Sequence, residues 1–137
     1  MSKKTENKIY LAGPLFTVPE KEWNALLACE LKLKGYKPFL PQDECCGTNE
    51  EIFSKCVSGI DSCDIVLANV DGTDADSGTC FELGYAYGKN KRIICYRTDF
   101  RKCGDDGFVN LMLSKSCDEF WIVDSIYDLV ETFCALV

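Results

Sequence analysis

The run Asp64-Ile-Val-Leu-Ala-Asn-Val70 constrains this chain more than any other stretch. Its residues are apolar at consecutive positions, whereas a strand with one wet face alternates apolar and polar residues. A strand apolar at nearly every step is covered on both faces, and a parallel sheet between helical layers provides that cover. The run leads without a break into an acidic, glycine-bearing loop (Asp71, Gly72, Asp74, Asp76, Gly78). A small-residue, apolar helix with one carboxylate, Glu82, follows. Strand, loop and helix in this order place a site at the carboxyl edge of an α/β sheet.

The rest of the chain fits around that unit. Residues 9–13 read as a short buried strand that turns at Gly13-Pro14. Residues 14–18 form a loop, and Pro19 suits a first helical position. Residues 20–34 form a one-faced helix through Trp23, Leu26, Leu27, Cys29, Leu31 and Leu33, with Gly35 as its stop. A second strand covers residues 36–40 and a loop residues 42–49. Asn49 is placed to cap a helix over residues 50–62, with an apolar stripe of Ile52, Phe53, Cys56, Val57 and Ile60. The third strand is residues 64–70, and the central helix runs from residue 77 or 78 to 88. Residues 91–97 make a fourth strand. Residues 98–109 form a polar loop, long enough for a flap or a subunit contact. A helical turn at 110–114, a fifth strand at 119–123 and a closing helix capped by Asp124 or Ser125 complete the chain.

This alternation predicts one domain over residues 1–137. It implies a three-layer sandwich around a five-stranded parallel sheet, for which a flavodoxin-like order would be 2-1-3-4-5. Such an order opens a cleft between the first and third strands. It would bring Tyr10, Gly13 and Phe16 together with Asp71, Asp76 and Glu82.

Several functions are excluded by what the chain lacks. It has no histidine, so Ser-His-Asp and Cys-His catalysis and histidine metal sites are out. The net charge of -7 argues against a nucleic-acid partner. The basic cluster from Lys89 to Arg92 reads as a solvated helix end. Neither a G-x-G-x-x-G nor a P-loop motif is present. A calcium loop beginning at Asp71 fails at Thr73, Ala75 and Asp76. The polar first residues carry no signal-peptide core, and no run approaches a membrane span. A reduced, cytoplasmic protein without a membrane partner is the expectation. The ten cysteines contain no C-x-x-C pair, and those in apolar segments, such as Cys29, Cys63, Cys80 and Cys95, read as small hydrophobes. The adjacent Cys45 and Cys46 are poorly placed to chelate, so no metal is expected.

That leaves carboxylate chemistry. Phe81, Leu83, Gly84 and Ala86 around Glu82 predict a buried helix, and a buried carboxylate needs a reason. The nearby helix N-terminus would favour its ionised form. An ionised carboxylate with a second one, Asp76, six residues earlier suits attack on an anomeric carbon.

Four blocks carry a resemblance over nearly the whole chain: Ile9-Tyr-Leu-Ala-Gly-Pro14, Asp64-Ile-Val-Leu-Ala-Asn-Val70, Asp76-Ser-Gly-Thr-Cys-Phe-Glu-Leu-Gly-Tyr-Ala86 and Asn110-Leu-Met-Leu113. They resemble the nucleoside 2-deoxyribosyltransferase family, the third block most specifically. The resemblance implies a double displacement without a cofactor. Glu82 attacks C1′ of a 2′-deoxynucleoside, the base leaves, and a free nucleobase takes the sugar from a covalent ester with net retention. It further implies that Tyr10 orients the nucleophile and that Asp76 binds sugar hydroxyls. Gly13 and Phe16 line the site. Asn110, with Met112 near it, enters a neighbouring subunit's site, which makes the protein a homo-oligomer. Many relatives carry Asp or Asn where this chain has Cys56, to help protonate the leaving base. A thiol is a weak donor, so either Asp43 or Glu44 does this work or base preference and rate differ.

Three rival readings follow. One is a deoxynucleoside 5′-phosphate N-hydrolase, disfavoured by the negative charge of Asp76. Another is a non-catalytic nucleoside or nucleotide sensor, and a third is a thiol redox protein.

Overall fold

The computed structural model describes residues 7–137. The polar first residues, and the expectation that they carry no secretory signal, lie outside the described residues. In chain order the elements are β1 (Lys8–Ala12), α1 (Val18–Leu33), β2 (Lys37–Phe39), α2 (Pro41–Glu44), α3 (Asn49–Ser62), β3 (Ile65–Asn69), α4 (Ser77–Gly88), β4 (Arg92–Arg97), α5 (Leu111–Ser116), β5 (Glu119–Ile122) and α6 (Ile126–Leu136). The five strands form one sheet in the order β2-β1-β3-β4-β5, every pairing parallel. The expected order is therefore the one observed.

All five residues of β3 are buried, which accounts for the unbroken apolar run. Side chains along a strand alternate between faces. On one face Ile9, Leu11, Ile65, Leu67, Ile94 and Tyr96 meet Leu27 and Leu31 of α1 and Leu129 and Phe133 of α6. On the other, Tyr10, Ala12, Val66, Ala68, Ile93 and Cys95 meet Ile60 of α3 and Leu83 and Ala86 of α4. Tyr10 is thus committed by strand parity to the side that carries α4. Among the described residues no helix is long and apolar enough to cross a membrane.

Four local expectations need correction. Residues 42–49 are not wholly loop, because Pro41 starts the short helix α2. α3 is capped by Thr48 rather than Asn49: the Thr48 hydroxyl accepts from the Glu51 backbone N–H, and the Glu51 carboxylate accepts from the Thr48 backbone N–H. This is a capping box, and the same device, from Thr17 and Glu20, starts α1. Cys29, Leu26 and Leu33 are exposed, so the buried stripe of α1 is narrower than its apolar count suggests. Finally, α4 is not buried all round. It hides Thr79, Leu83 and Ala86 but leaves Phe81 and Tyr87 more than half exposed.

Candidate active site

Glu82 lies in the second turn of α4, and the Tyr10 hydroxyl donates a hydrogen bond to its Oε2. These groups are 72 residues apart in the chain; the sheet brings them together. Tyr10 is fully buried, and its ring stacks on Phe39 of β2 at 5.3 Å between centroids. Phe39 is backed by Gly59 of α3, where a Cβ would sit 2.7 Å from the ring. A glycine at this point lets α3 close on Phe39, and Phe39 supports the phenol.

Burial pushes the Glu82 carboxyl up to about 7; the Tyr10 bond pulls it down, and the charge of Asp76 pushes it up again. The expectation that the helix N-terminus would simply favour ionisation is corrected: loss of water outweighs it. The Tyr10 phenol is pushed far above its ordinary range, chiefly by burial and then by Glu82. It therefore keeps its proton and remains the donor of the pair.

Asp76 is the N-cap of α4, and its Oδ2 accepts from the Thr79 backbone N–H at 2.9 Å and the Thr79 hydroxyl at 3.0 Å. Both bonds use the same oxygen. Gly13 follows β1 where a Cβ would lie 3.0 Å from that of Asn69, so the first loop passes the end of β3 closely. Phe16 is 71% exposed, its backbone N–H tied to Glu20. Asp43 is exposed on α2. Cys56, on α3, lies beside the Tyr10 hydroxyl and 3.2 Å from the thiol of Cys45.

Asp71 falls elsewhere, and Asn110 and Met112, expected in a neighbour's site, lie apart from Glu82. The Asp71 carboxylate accepts from the backbone of Thr98 and Asp99 and from the Thr98 hydroxyl, so it ties two loops together and does not join Glu82. Asn110 caps α5, accepting from Met112 N–H at 2.8 Å. Asn110 and Met112 line a separate cavity of about 600 Å³, bounded on α4 by Cys80, Leu83, Gly84 and Tyr87. At about 100° per residue that face is nearly opposite Glu82.

Sequence reasoning missed Arg97. This fully buried cation at the end of β4 donates to the carbonyls of Val70 at 2.8 Å, Gly72 at 2.9 Å, Asp99 at 3.1 Å and Arg101 at 3.1 Å, and lies 3.7 Å from the Asp99 carboxylate. It fastens the acidic loop to the loop after β4. A lone charge closing an apolar strand was the one available signal. Among the described residues no three His, Cys, Asp or Glu side chains are grouped to hold a metal ion.

The family profile described as Nucleoside 2-deoxyribosyltransferase matches residues 9–115. An uncharacterized protein of Ureaplasma parvum is 34% identical over 123 residues, covering 74% of this chain and 75% of that protein. Among solved structures, a 2-desoxiribosyltransferase from Leishmania mexicana superposes with a TM-score of 0.74 at 27% identity, over 93% of this chain and 96% of that one. A CMP N-glycosidase from Clostridium botulinum superposes with a TM-score of 0.72 at 19% identity, over 96% and 100% of the two chains, a likeness of fold.

Proposed function

The chain belongs to the nucleoside 2-deoxyribosyltransferase family, and from that premise we propose that it transfers 2-deoxyribose between nucleobases through a covalent ester on Glu82. The observation that carries this reading is the Tyr10–Glu82 pair, built from β1 and α4 at the carboxyl edge of the sheet. A phenol that cannot ionise fixes one carboxylate oxygen and leaves the other to react.

In the first half, a lone pair of Glu82 forms a bond to C1′ as the glycosidic C–N bond breaks. Those electrons leave with the base, which takes up a proton. In the second half, a nitrogen of an incoming base attacks C1′, the ester C–O bond breaks, Glu82 is regenerated as the carboxylate, and the N–H proton of the incoming base is released, balancing the one the leaving base took up. Two inversions give net retention. Asp76 anchors a sugar hydroxyl through the oxygen its cap leaves over. The chain's own groups perform this chemistry, and the reading calls for no cofactor.

Water as the final acceptor would make the protein a hydrolase. A 5′-phosphate is disfavoured because Asp76 is negative and the buried Arg97 guanidinium is committed to backbone carbonyls and Asp99. The reading includes a homo-oligomer in which Asn110 and Met112 reach a neighbour's site; it is supported by their exposure and by the exposed Phe81 and Tyr87.

The test is to incubate a deoxynucleoside with and without a second base and to trap the adduct by mass spectrometry. Base exchange and a deoxyribosyl group mapped to Glu82 are expected, with both lost in Glu82→Ala. Steady release of free deoxyribose, unaffected by added base, would replace transfer by hydrolysis. Retained nucleoside binding with no turnover in the parent protein would leave a sensor.

A further inference from the structure

Two thiols in the wall of this site have no part in the steps above. Cys45 ends α2, and Cys56 sits midway along α3. Gly47, at φ +122°, turns the chain between the two helices. Their sulfurs are 3.2 Å apart, whereas a disulfide needs about 2.05 Å. Both residues are partly exposed and both are reduced. Cys95 offers a contrast: it also has a thiol neighbour, Cys117, but it is fully buried in β4. Cys46, next to Cys45, is exposed and turned to the carbonyl of Asp43 at 3.8 Å.

The position of the pair gives it a consequence. Cys56 lies against the Tyr10 hydroxyl, and the charge of Glu82 reaches Cys45. We propose that Cys45 and Cys56 form a reversible disulfide by exchange with a small disulfide of the glutathione type, and that this bond suppresses reaction at Glu82 by drawing Cys56 away from Tyr10.

In the first step one protein thiolate attacks the small disulfide, its S–S bond breaks, and one reagent thiolate leaves. The second protein thiol gives up its proton and attacks the mixed disulfide, releasing the other reagent thiolate. Two protein thiols are oxidised, one small disulfide is reduced to two thiols, and the two protein protons pass to the leaving thiolates. Burial holds the Cys45 thiol up at about 12, followed by the neighbouring Cys56 and the charges of Glu82 and Glu44. The thiolate is the reactive species, so a protonated Cys45 makes the exchange slow near neutral pH and faster as pH rises.

The chemistry of the pair stands alone; its effect on turnover rests on the transfer reading. The full chain is incubated with glutathione disulfide, alkylated, digested and mapped by mass spectrometry, and base exchange is measured before and after. The expected result is a Cys45–Cys56 cross-link, with exchange falling about tenfold or more relative to the reduced protein and returning with dithiothreitol. Cys45→Ser and Cys56→Ser each lose the cross-link, and the ratio of oxidised to reduced activity within each variant stays near one. Cys46→Ser keeps both effects. Glutathione adducts alone, a link through Cys46, or a Cys45–Cys56 link with undiminished exchange would each overturn the proposal. A Cys45–Cys56 cross-link formed on oxidation of a protein whose reduced form never exchanges base would uphold the thiol chemistry and defeat the transfer reading instead.

Discussion

Glu82 is held between two opposed demands: it must be ionised to attack, yet burial raises its pKa to about 7. Base release is thus expected to rise with pH through a midpoint near about 7, read as kcat/KM. The Tyr10 bond lowers that midpoint, so Tyr10→Phe is expected to move it upward and to slow turnover about 10–100-fold. The same group makes stability depend on pH. Its proton is held more tightly in the folded chain than in the unfolded one, so its contribution favours folding below the unfolded carboxylate pKa. That contribution is lost as pH rises through about 7. Glu82→Gln is expected to exceed the parent in unfolding free energy by at most about 3 kcal/mol near about pH 8. The difference closes in acid, and urea titrations at the two pH values check it. The position of Glu82 was legible because a single carboxylate interrupts an apolar helix. Its charge state was not, because that is set by Tyr10, Asp76 and exclusion of water, none of which spacing encodes.

At the scale of elements, the start of α4 does two things at once. Asp76 caps the helix through Oδ2, and its charge helps raise the Glu82 pKa. Asp76→Asn keeps a capping oxygen, so its stability is expected to stay near the parent's while KM for the nucleoside rises. Asp76→Ala loses both roles, with a further cost of about 1 kcal/mol in thermal unfolding. Helix starts were only partly readable. Thr48 and Asn49 both suit a cap, and the choice of Thr48 rests on the second bond of the box, from the Thr48 backbone N–H to the Glu51 carboxylate. α2, four residues long, is too short for apolar periodicity to show, so only Pro41 marks it. The contact of Gly59 with Phe39, which props the Tyr10 ring, has no local signature because it joins α3 to a distant strand.

For the molecule as a whole, the alternation of strands and helices was sufficient to give a parallel sheet covered on both faces, since parallel neighbours need crossovers and a buried strand needs cover on both sides; the order of the strands was legible only through the family resemblance, because doubly wound sheets also adopt other orders. Which loops would be tied together was not legible, and Asp71 misled for that reason: its carboxylate belongs to the loop after β4. The proposed exchange of Asn110 between subunits has a direct check. If sites are shared, mixing inactive Glu82→Ala with inactive Asn110→Ala under subunit exchange is expected to restore about a quarter of the parent activity in a two-fold dimer. Activity that stays at zero would count against sharing. Arg97 sets how such an assembly would behave mechanically. One guanidinium grips carbonyls on both crossovers, so the 98–109 segment and the acidic segment leading to Asp76 cannot shift independently without stranding a buried cation. Anything pressing on the first would thereby displace the second, although the two are separated by a whole helix and strand in the chain.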